Sequence, residues 1–280
     1  MSAVATPRDR DFAPVARFVL PVSGLAVALM APTGAEEVLL AERQAEDAAL
    51  ALSLAERLGR VESDVDWSAL SITDIDVLIA RLRIAMIGDR VIGEAACGSA
   101  GCGEKVDLSF RLSDWLDHHR PRRGAPRGRG WRAERADDAP GWQVLIVQDA
   151  EAARFRLPTL ADQIAVQDAD DAATAMAKRV TEPARLPARL RAKAEAAMAM
   201  LAPALAGPMR GQCPHCGAPI TALFQPRQYC LRELRDRARF VYDDIDALAE
   251  RYHWSERAIL QMPAARRGQY VERARQARAA

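Results

Sequence analysis

The spacing of apolar residues predicts short strands alternating with amphipathic helices along most of the chain. Two short apolar runs, at 18–21 and 25–30, indicate strands. A Pro-Thr pair with a glutamate three residues further on is typical of a capping box and predicts a helix over 33–58. Apolar residues then recur at helical spacing over 71–88, where a serine begins and a glycine ends the predicted helix.

The remainder of the chain repeats this order of elements. Two strands around a cysteine pair and a short tryptophan-bearing helix are predicted within 90–119. Strands, a second Pro-Thr helix start, an alanine-rich helix and a second cysteine turn follow within 142–232. The agreement predicts an internal duplication. Unrelated α+β segments could produce the same order by chance.

These patterns divide the chain into five segments. They are a flexible arm at 1–17, a first half at 18–119, an arginine-rich loop at 120–141, a second half at 142–232 and a helical C-terminal extension at 233–280. The predicted fold class is therefore α+β, with two similar halves joined by a zinc-ribbon-like four-cysteine site and a helical extension.

Two cysteine pairs carry the strongest chemical signal in the chain. Cys97 and Cys102 enclose four residues, Cys213 and Cys216 enclose two, and each pair is followed by a glycine. Two hairpin turns of this kind can supply four thiolates to one tetrahedral zinc, with no position left open for catalysis. We therefore expect structural Zn²⁺. The alternatives are buried free thiols, a site without metal, or substitution by His215.

Composition and charge narrow the function only a little. Half of the residues are hydrophobic and the net charge is +1, which neither favours nor excludes a polyanionic partner. No apolar run is long enough to span a membrane, and the first residues lack the apolar core of a signal peptide. We expect a cytoplasmic protein, in which paired thiols are more often metal ligands than disulfides.

No motif of an enzyme emerges from the sequence. A phosphate-binding loop, a dinucleotide fingerprint and the His-Glu-x-x-His pattern of zinc proteases are all absent from the chain. Cys230 falls in a predicted helix and is expected to be in the core or half-buried. We expect a protein without catalytic activity.

The arginine-rich loop offers an alternative function. Seven arginines between Arg120 and Arg135 could contact phosphates, and Trp131 could stack on a base. The simpler interpretation is a solvated linker in an arginine-biased chain, so nucleic-acid binding is an alternative that we do not favour.

One string near the C-terminus resembles a known family. The string 243–270, together with Gly-Asp-Arg at 88–90, Arg-Phe-Arg-Leu-Pro-Thr at 154–159 and the cysteine turns, is similar to the T-even-type baseplate hub subunit and hub assembly chaperone family. The first cysteine turn is longer than the pattern of that family, and the arginine-rich loop is not part of it.

The resemblance implies a non-enzymatic role in the baseplate of a contractile phage tail or injection system. Other baseplate or tail proteins would be the partners, in the cytoplasm during assembly or in the finished particle. The aromatic break between the last helices suggests a docking module or, equally, packing of the aromatic residues within the protein. The predicted partner-binding residues are Tyr252, His253, Trp254, Arg266, Arg267 and Tyr270.

Overall fold

A three-stranded antiparallel sheet and the helices that cover it open the fold. The computed structural model describes residues 13–43 and 47–279. The elements up to residue 118 are β1 (Ala16–Val19), β2 (Ala26–Leu29), α1 (Gly34–Glu42), α2 (Ala48–Leu58), β3 (Gly59–Arg60), a 3-10 turn (Trp67–Ala69), α3 (Ile72–Ile87), β4 (Arg90–Ala96), β5 (Lys105–Arg111) and α4 (Leu112–His118). The sheet order is β1-β2-β3, and β4 and β5 form a separate hairpin. Most of the predicted arm at 1–17 lies outside the described residues, and β1 already begins at Ala16.

A second, five-stranded antiparallel sheet follows. Its segment contains β6 (Arg127–Gly128), β7 (Trp131–Arg135), β8 (Trp142–Val147), β9 (Ala150–Arg156), α5 (Leu160–Val166), α6 (Ala172–Val180), β10 (Thr181–Glu182), α7 (Ala188–Leu201), β11 (Gly207–Gln212), β12 (Pro219–Phe224) and α8 (Pro226–Ala238). The sheet order is β10-β9-β8-β7-β6, and β11 and β12 form a second hairpin. The chain ends in α9 (Val241–Tyr252), α10 (Glu256–Leu260) and α11 (Ala264–Ala279). The predicted mixed α+β class is confirmed.

Side-chain caps start the principal helices where the sequence predicts them. Thr33 and Glu36 form the capping box of α1, and Thr159 and Asp162 form that of α5. Ser71 accepts a hydrogen bond from a backbone amide at the start of α3. The single helix predicted over 33–58 is wrong, because Asp47 caps a new helix there.

The predicted loop at 120–141 is wrong in its second part. β7 pairs along its whole length with β8, and β6 pairs with β7. Ala133 is fully buried, and Trp131 packs against the same cluster as the neighbouring strands. The prolines and glycines of 120–130 are typical of a loop and made the alternation of buried and exposed residues after them easy to miss. A strand forms there because it can pair with the otherwise open edge of β8.

The two largest hydrophobic cores of the described residues hold the sheets and helices together. The larger core joins the first sheet, α2, α3 and α8. A smaller core lies between the five-stranded sheet and α7, and Phe155 and Leu145 are completely buried in it.

The predicted start of the C-terminal extension at 233 is wrong, because it falls inside a buried helix. α8 runs unbroken from Pro226 to Ala238, and Leu234 and Ala238 are 3% and 1% exposed within the larger core. Glu233 also holds the buried Arg83 through an ion pair of 2.6 Å. The separable extension therefore begins after α8.

This boundary predicts different outcomes for two truncations. A chain ending at Arg239 keeps the larger core and should fold. A chain ending at Glu233 loses Leu234, and the cavity should lower the free energy of unfolding by about 3 kcal/mol or more. Urea unfolding followed by circular dichroism measures the difference, and equal stability of the two chains would place the boundary elsewhere.

Candidate metal centre

Two hairpin tips bring four cysteine sulfurs together. The turn between β4 and β5 carries Cys97 and Cys102, and the turn between β11 and β12 carries Cys213 and Cys216. All four Sγ atoms lie within 4.8 Å of one another. The predicted ligands are thus adjacent in space, although more than a hundred residues separate the two pairs.

The distances between sulfurs suit a tetrahedral metal ion. Sγ of Cys97 lies 3.6 Å from Sγ of Cys216, and Sγ of Cys102 lies 3.9 Å from Sγ of Cys213. Four sulfurs at about 2.3 Å from a central ion are separated by about 3.8 Å. The four sulfurs could therefore hold a metal ion.

Backbone hydrogen bonds shape both turns. Cys97 N–H donates to the carbonyl of Glu104 across the first turn, and Cys213 N–H donates to the carbonyl of Ala218 across the second. Gly103 and Gly217 have φ values of +62° and +73°, which favour glycine. The glycine after each cysteine pair is therefore required by the shape of the turn.

Aromatic packing fixes the bases of the hairpins. Phe110 at the end of β5 and Phe224 at the end of β12 meet edge to face, with ring centroids 5.1 Å apart. Trp115 of α4 packs against both rings and donates a hydrogen bond to the carbonyl of Leu205. Because these contacts join the two hairpins, the cysteine turns are held opposite each other independently of the sulfurs.

The thiols differ in how readily they ionise. Burial raises the pKa of Cys213, but the amides of Cys216 and His215 donate toward its sulfur and lower the pKa to about 7. The amide of Glu104 lowers the pKa of Cys102, yet burial and the thiols of the second turn raise it to about 12. Neighbouring thiolates repel one another, so a divalent cation would be needed to stabilise several of them.

The remaining cysteine lies apart from this cluster. Cys230 is completely buried in α8, as the sequence predicts, and burial raises the pKa of its thiol to about 12. His215 lies within the second turn, but the described residues that cluster as possible metal ligands are the four cysteines. The four cysteines could by themselves supply the four ligands of a tetrahedral metal ion.

A polar groove lies elsewhere in the fold. The groove has a volume of about 520 Å³ and is lined by glutamines and by the ion pair of Asp76 with Arg227, whose Oδ1 and Nε atoms are 2.6 Å apart. Burial raises the pKa of Asp76 to about 6, although the positive charge of Arg227 acts to lower it. The lining residues include no serine, cysteine or histidine that could serve as a nucleophile or base.

The predicted aromatic partner residues pack on one another. The rings of Tyr252 and Trp254 stack with centroids 4.7 Å apart, and Tyr270 meets both edge to face. They belong to a small core of α9, α10 and α11, separate from the larger one. His253, in the left-handed conformation at the end of α9, and Arg266 are exposed. A partner role for these five residues stays a prediction.

Arg267 has a different role from the one predicted. It is 3% exposed, pairs with Glu37 of α1 and donates to Asp244 of α9 at 3.1 Å. Because Arg267 is buried, it has no surface with which to contact a partner. The prediction that it is a partner-binding residue is therefore wrong. Its ion pairs instead attach the C-terminal helices to α1.

Sequence reasoning also missed the buried Arg83. Its guanidinium contacts Glu233 and donates to the carbonyls of Gly88 and Arg90 at 2.5 and 2.8 Å. It thereby joins α3, the first hairpin and α8. The available signal was that Arg83, unlike Arg81, lies four residues after Ile79 in the apolar stripe of α3.

Comparison with known proteins identifies no family. No protein-family model matches the chain, and no curated protein or solved structure is significantly similar to it. Within the described residues, no helix combines the length and apolarity needed to cross a membrane. The fold and site define an α+β protein with a candidate four-cysteine metal centre.

The sulfur cluster predicts stoichiometric metal binding. Purified protein should contain about one divalent metal ion per chain, and Cys97→Ser with Cys213→Ser should abolish it, because two remaining thiols bind weakly. Cys230→Ala is the matched control and should keep the metal. Metal-free wild-type protein of unchanged stability would contradict the assignment.

The buried arginine predicts how the C-terminal helices are attached. Arg267→Met leaves Glu37 and Asp244 without their partner and should destabilise the attachment of 241–279 by about 3 kcal/mol. Hydrogen exchange of these helices should accelerate accordingly.

Arg266→Met is the matched control for this experiment, because Arg266 is exposed on the same helix. Adding Glu37→Gln to Arg267→Met should restore part of the protection. If hydrogen exchange of these helices were equally fast in Arg267→Met and Arg266→Met, the ion pairs of Arg267 would not hold the helices in place.

Proposed function

We propose that the chain is a non-enzymatic structural or assembly protein of the baseplate of a contractile phage tail or injection system, stabilised by structural zinc. The observation that carries the structural role is the four-sulfur cluster between two distant hairpins. Thiolate ligands favour zinc among the common divalent ions, and four of them leave no open position for catalysis. The resemblance of 243–270 and the cysteine turns to a baseplate family suggests the assembly.

An internal duplication accounts for the position of the cluster. From β1 to α4 and from β8 to α8 the elements follow the same order, and in both the second strand leads into a Pro-Thr capping box. The two cysteine hairpins then occupy equivalent places in two similar halves. Zinc would join the halves in the manner of a zinc ribbon and convert binding energy into folding energy.

The C-terminal helices would provide the partner surface. They form a core of their own, so they can present exposed residues without disturbing the rest of the fold. His253 and Arg266 are exposed there, as are Phe240 and Tyr242, at 48% and 47%. An exposed aromatic pair beside charged residues is typical of a protein interface.

Nucleic-acid binding through the arginine-rich segment is the alternative function. Arg122, Arg123, Arg127, Arg129 and Arg135 are exposed, and no ion pair joins them to an acidic side chain of the described residues. Arg132, by contrast, pairs with both Glu134 and Asp149. The exposed arginines of this segment that have no such ion pair therefore number five, which is few for a phosphate-binding interface.

Affinity purification from cells that assemble the particle tests the proposal. Tagged full-length protein should copurify tail or baseplate proteins, whereas a chain ending at Arg239 should keep its zinc and lose them. Mass spectrometry of the eluate identifies the partners. Recovery of nucleic acid, lost when Arg122, Arg123, Arg127 and Arg129 become serine, would overturn the proposal in favour of the alternative.

A further inference from the structure

The first sheet has an open edge. β1 pairs with β2 on one side, and on its other side no strand of the described residues pairs with it. Val15 and Val19 are 40% and 62% exposed along this edge. An exposed edge with apolar side chains is a surface that proteins normally cover or use for binding.

The hydrogen-bonding groups of this edge are in position for another strand. Leu20 N–H donates to the carbonyl of Leu25, and the register continues along β1 and β2 with Phe18 opposite Val27. Because hydrogen-bonded pairs alternate in an antiparallel ladder, the peptide groups of Arg17 and Val19 point away from β2. They are donors and acceptors that an incoming strand would satisfy.

The second sheet contains the same edge in a covered form. Val27 and Ala153 occupy matching positions, since each lies six residues before the threonine that caps the next helix, α1 or α5. Their cross-strand partners are Phe18 of β1 and Leu145 of β8, so β1 corresponds to β8. The far edge of β8 is paired with the antiparallel strand β7. On the internal duplication proposed above, β7 is therefore the model for a strand that would cover the edge of β1.

The covered edge also indicates the chemistry of the occupant. In β7, Ala133 lies opposite Leu145 and Glu134 lies opposite Val144. The residue of β1 that corresponds to Val144 is Arg17, which is exposed and has no ion pair with an acid of the described residues. An occupant with an acidic residue at the place of Glu134 would pair with Arg17 across the strands.

We propose that the free edge of β1 binds an extended segment of a partner protein as an additional antiparallel strand, with an acidic residue opposite Arg17. The proposal goes beyond the baseplate assignment, since it concerns a surface far from the cysteine turns and names the chemistry of the bound segment. Backbone hydrogen bonds would supply the attachment, and the acidic residue would set the register.

A peptide with the sequence of residues 129–137 of this chain is a suitable probe, because it contains β7. Labelled peptide and metal-loaded full-length protein should give saturable binding by fluorescence anisotropy, and a scrambled peptide should not bind. Arg17→Glu should weaken binding about fivefold, the size of one cross-strand charge pair. A peptide with Glu134→Arg should bind Arg17→Glu better than wild type.

Two variants at one position separate backbone pairing from side-chain contact. Val19→Pro removes an N–H that faces the open edge and leaves the ladder with β2 intact, so it should abolish binding. Val19→Ala keeps this N–H group, so it should retain most of the peptide binding. Circular dichroism checks that both variants fold.

Several results would overturn the proposal. Full-length protein that does not bind the peptide, or binding that survives Val19→Pro, would exclude strand addition. Binding that appears only after residues 2–12 are deleted would assign the edge to the chain's own N-terminus. A dimer that Val19→Pro converts to a monomer in sedimentation equilibrium would assign it to a second copy. These measurements need no tail particle, so their failure is distinguishable from failure of the baseplate assignment.

Discussion

The packing of two hairpins against each other, which brings four sulfurs together at their tips, is the constraint on which the arrangement of the chain depends. Each hairpin is a two-stranded sheet, which is marginally stable by itself. Their tips meet because β12 lies against β4 and because Phe110, Trp115 and Phe224 pack together at the bases. A metal ion shared by the tips would therefore stabilise a geometry that the apolar contacts already favour, and would close a loop of more than a hundred residues.

Buried arginines extend this connection to the helices. Arg83 links α3 to the first hairpin and to α8, while Arg267 links α11 to α1 and α9. Each guanidinium satisfies several acceptors in a region from which water is excluded, so removal of one partner leaves a buried charge. The first hairpin is thus fixed to the core at its base and to the second hairpin at its tip. The C-terminal helices are fixed chiefly through α1, which makes them a separable unit.

Local signals predicted much of this fold. The capping residues Thr33, Ser71 and Thr159 begin helices as expected, since a side-chain cap depends on a few neighbouring residues. The cysteine spacing predicted the sulfur cluster, because a tight turn with a glycine determines where two sulfurs point. The strand at 131–135 was not predicted, because it depends on pairing with the edge of β8 and the residues of the segment do not by themselves indicate that pairing. The roles of Glu233 and Arg267 were missed for the same reason, since α8 and α11 contact parts of the chain that no local pattern identifies.

X-ray absorption at the zinc edge tests the central claim most directly. The account predicts a single zinc ion per chain surrounded by four sulfur atoms at about 2.3 Å, with no nitrogen or oxygen ligand. The same spectrum should persist in a chain ending at Arg239, because the cysteine hairpins do not depend on the last helices. A spectrum with fewer than four sulfurs, a ligand from solvent or no bound metal would contradict the account of the cysteines as a closed connection between the two hairpins.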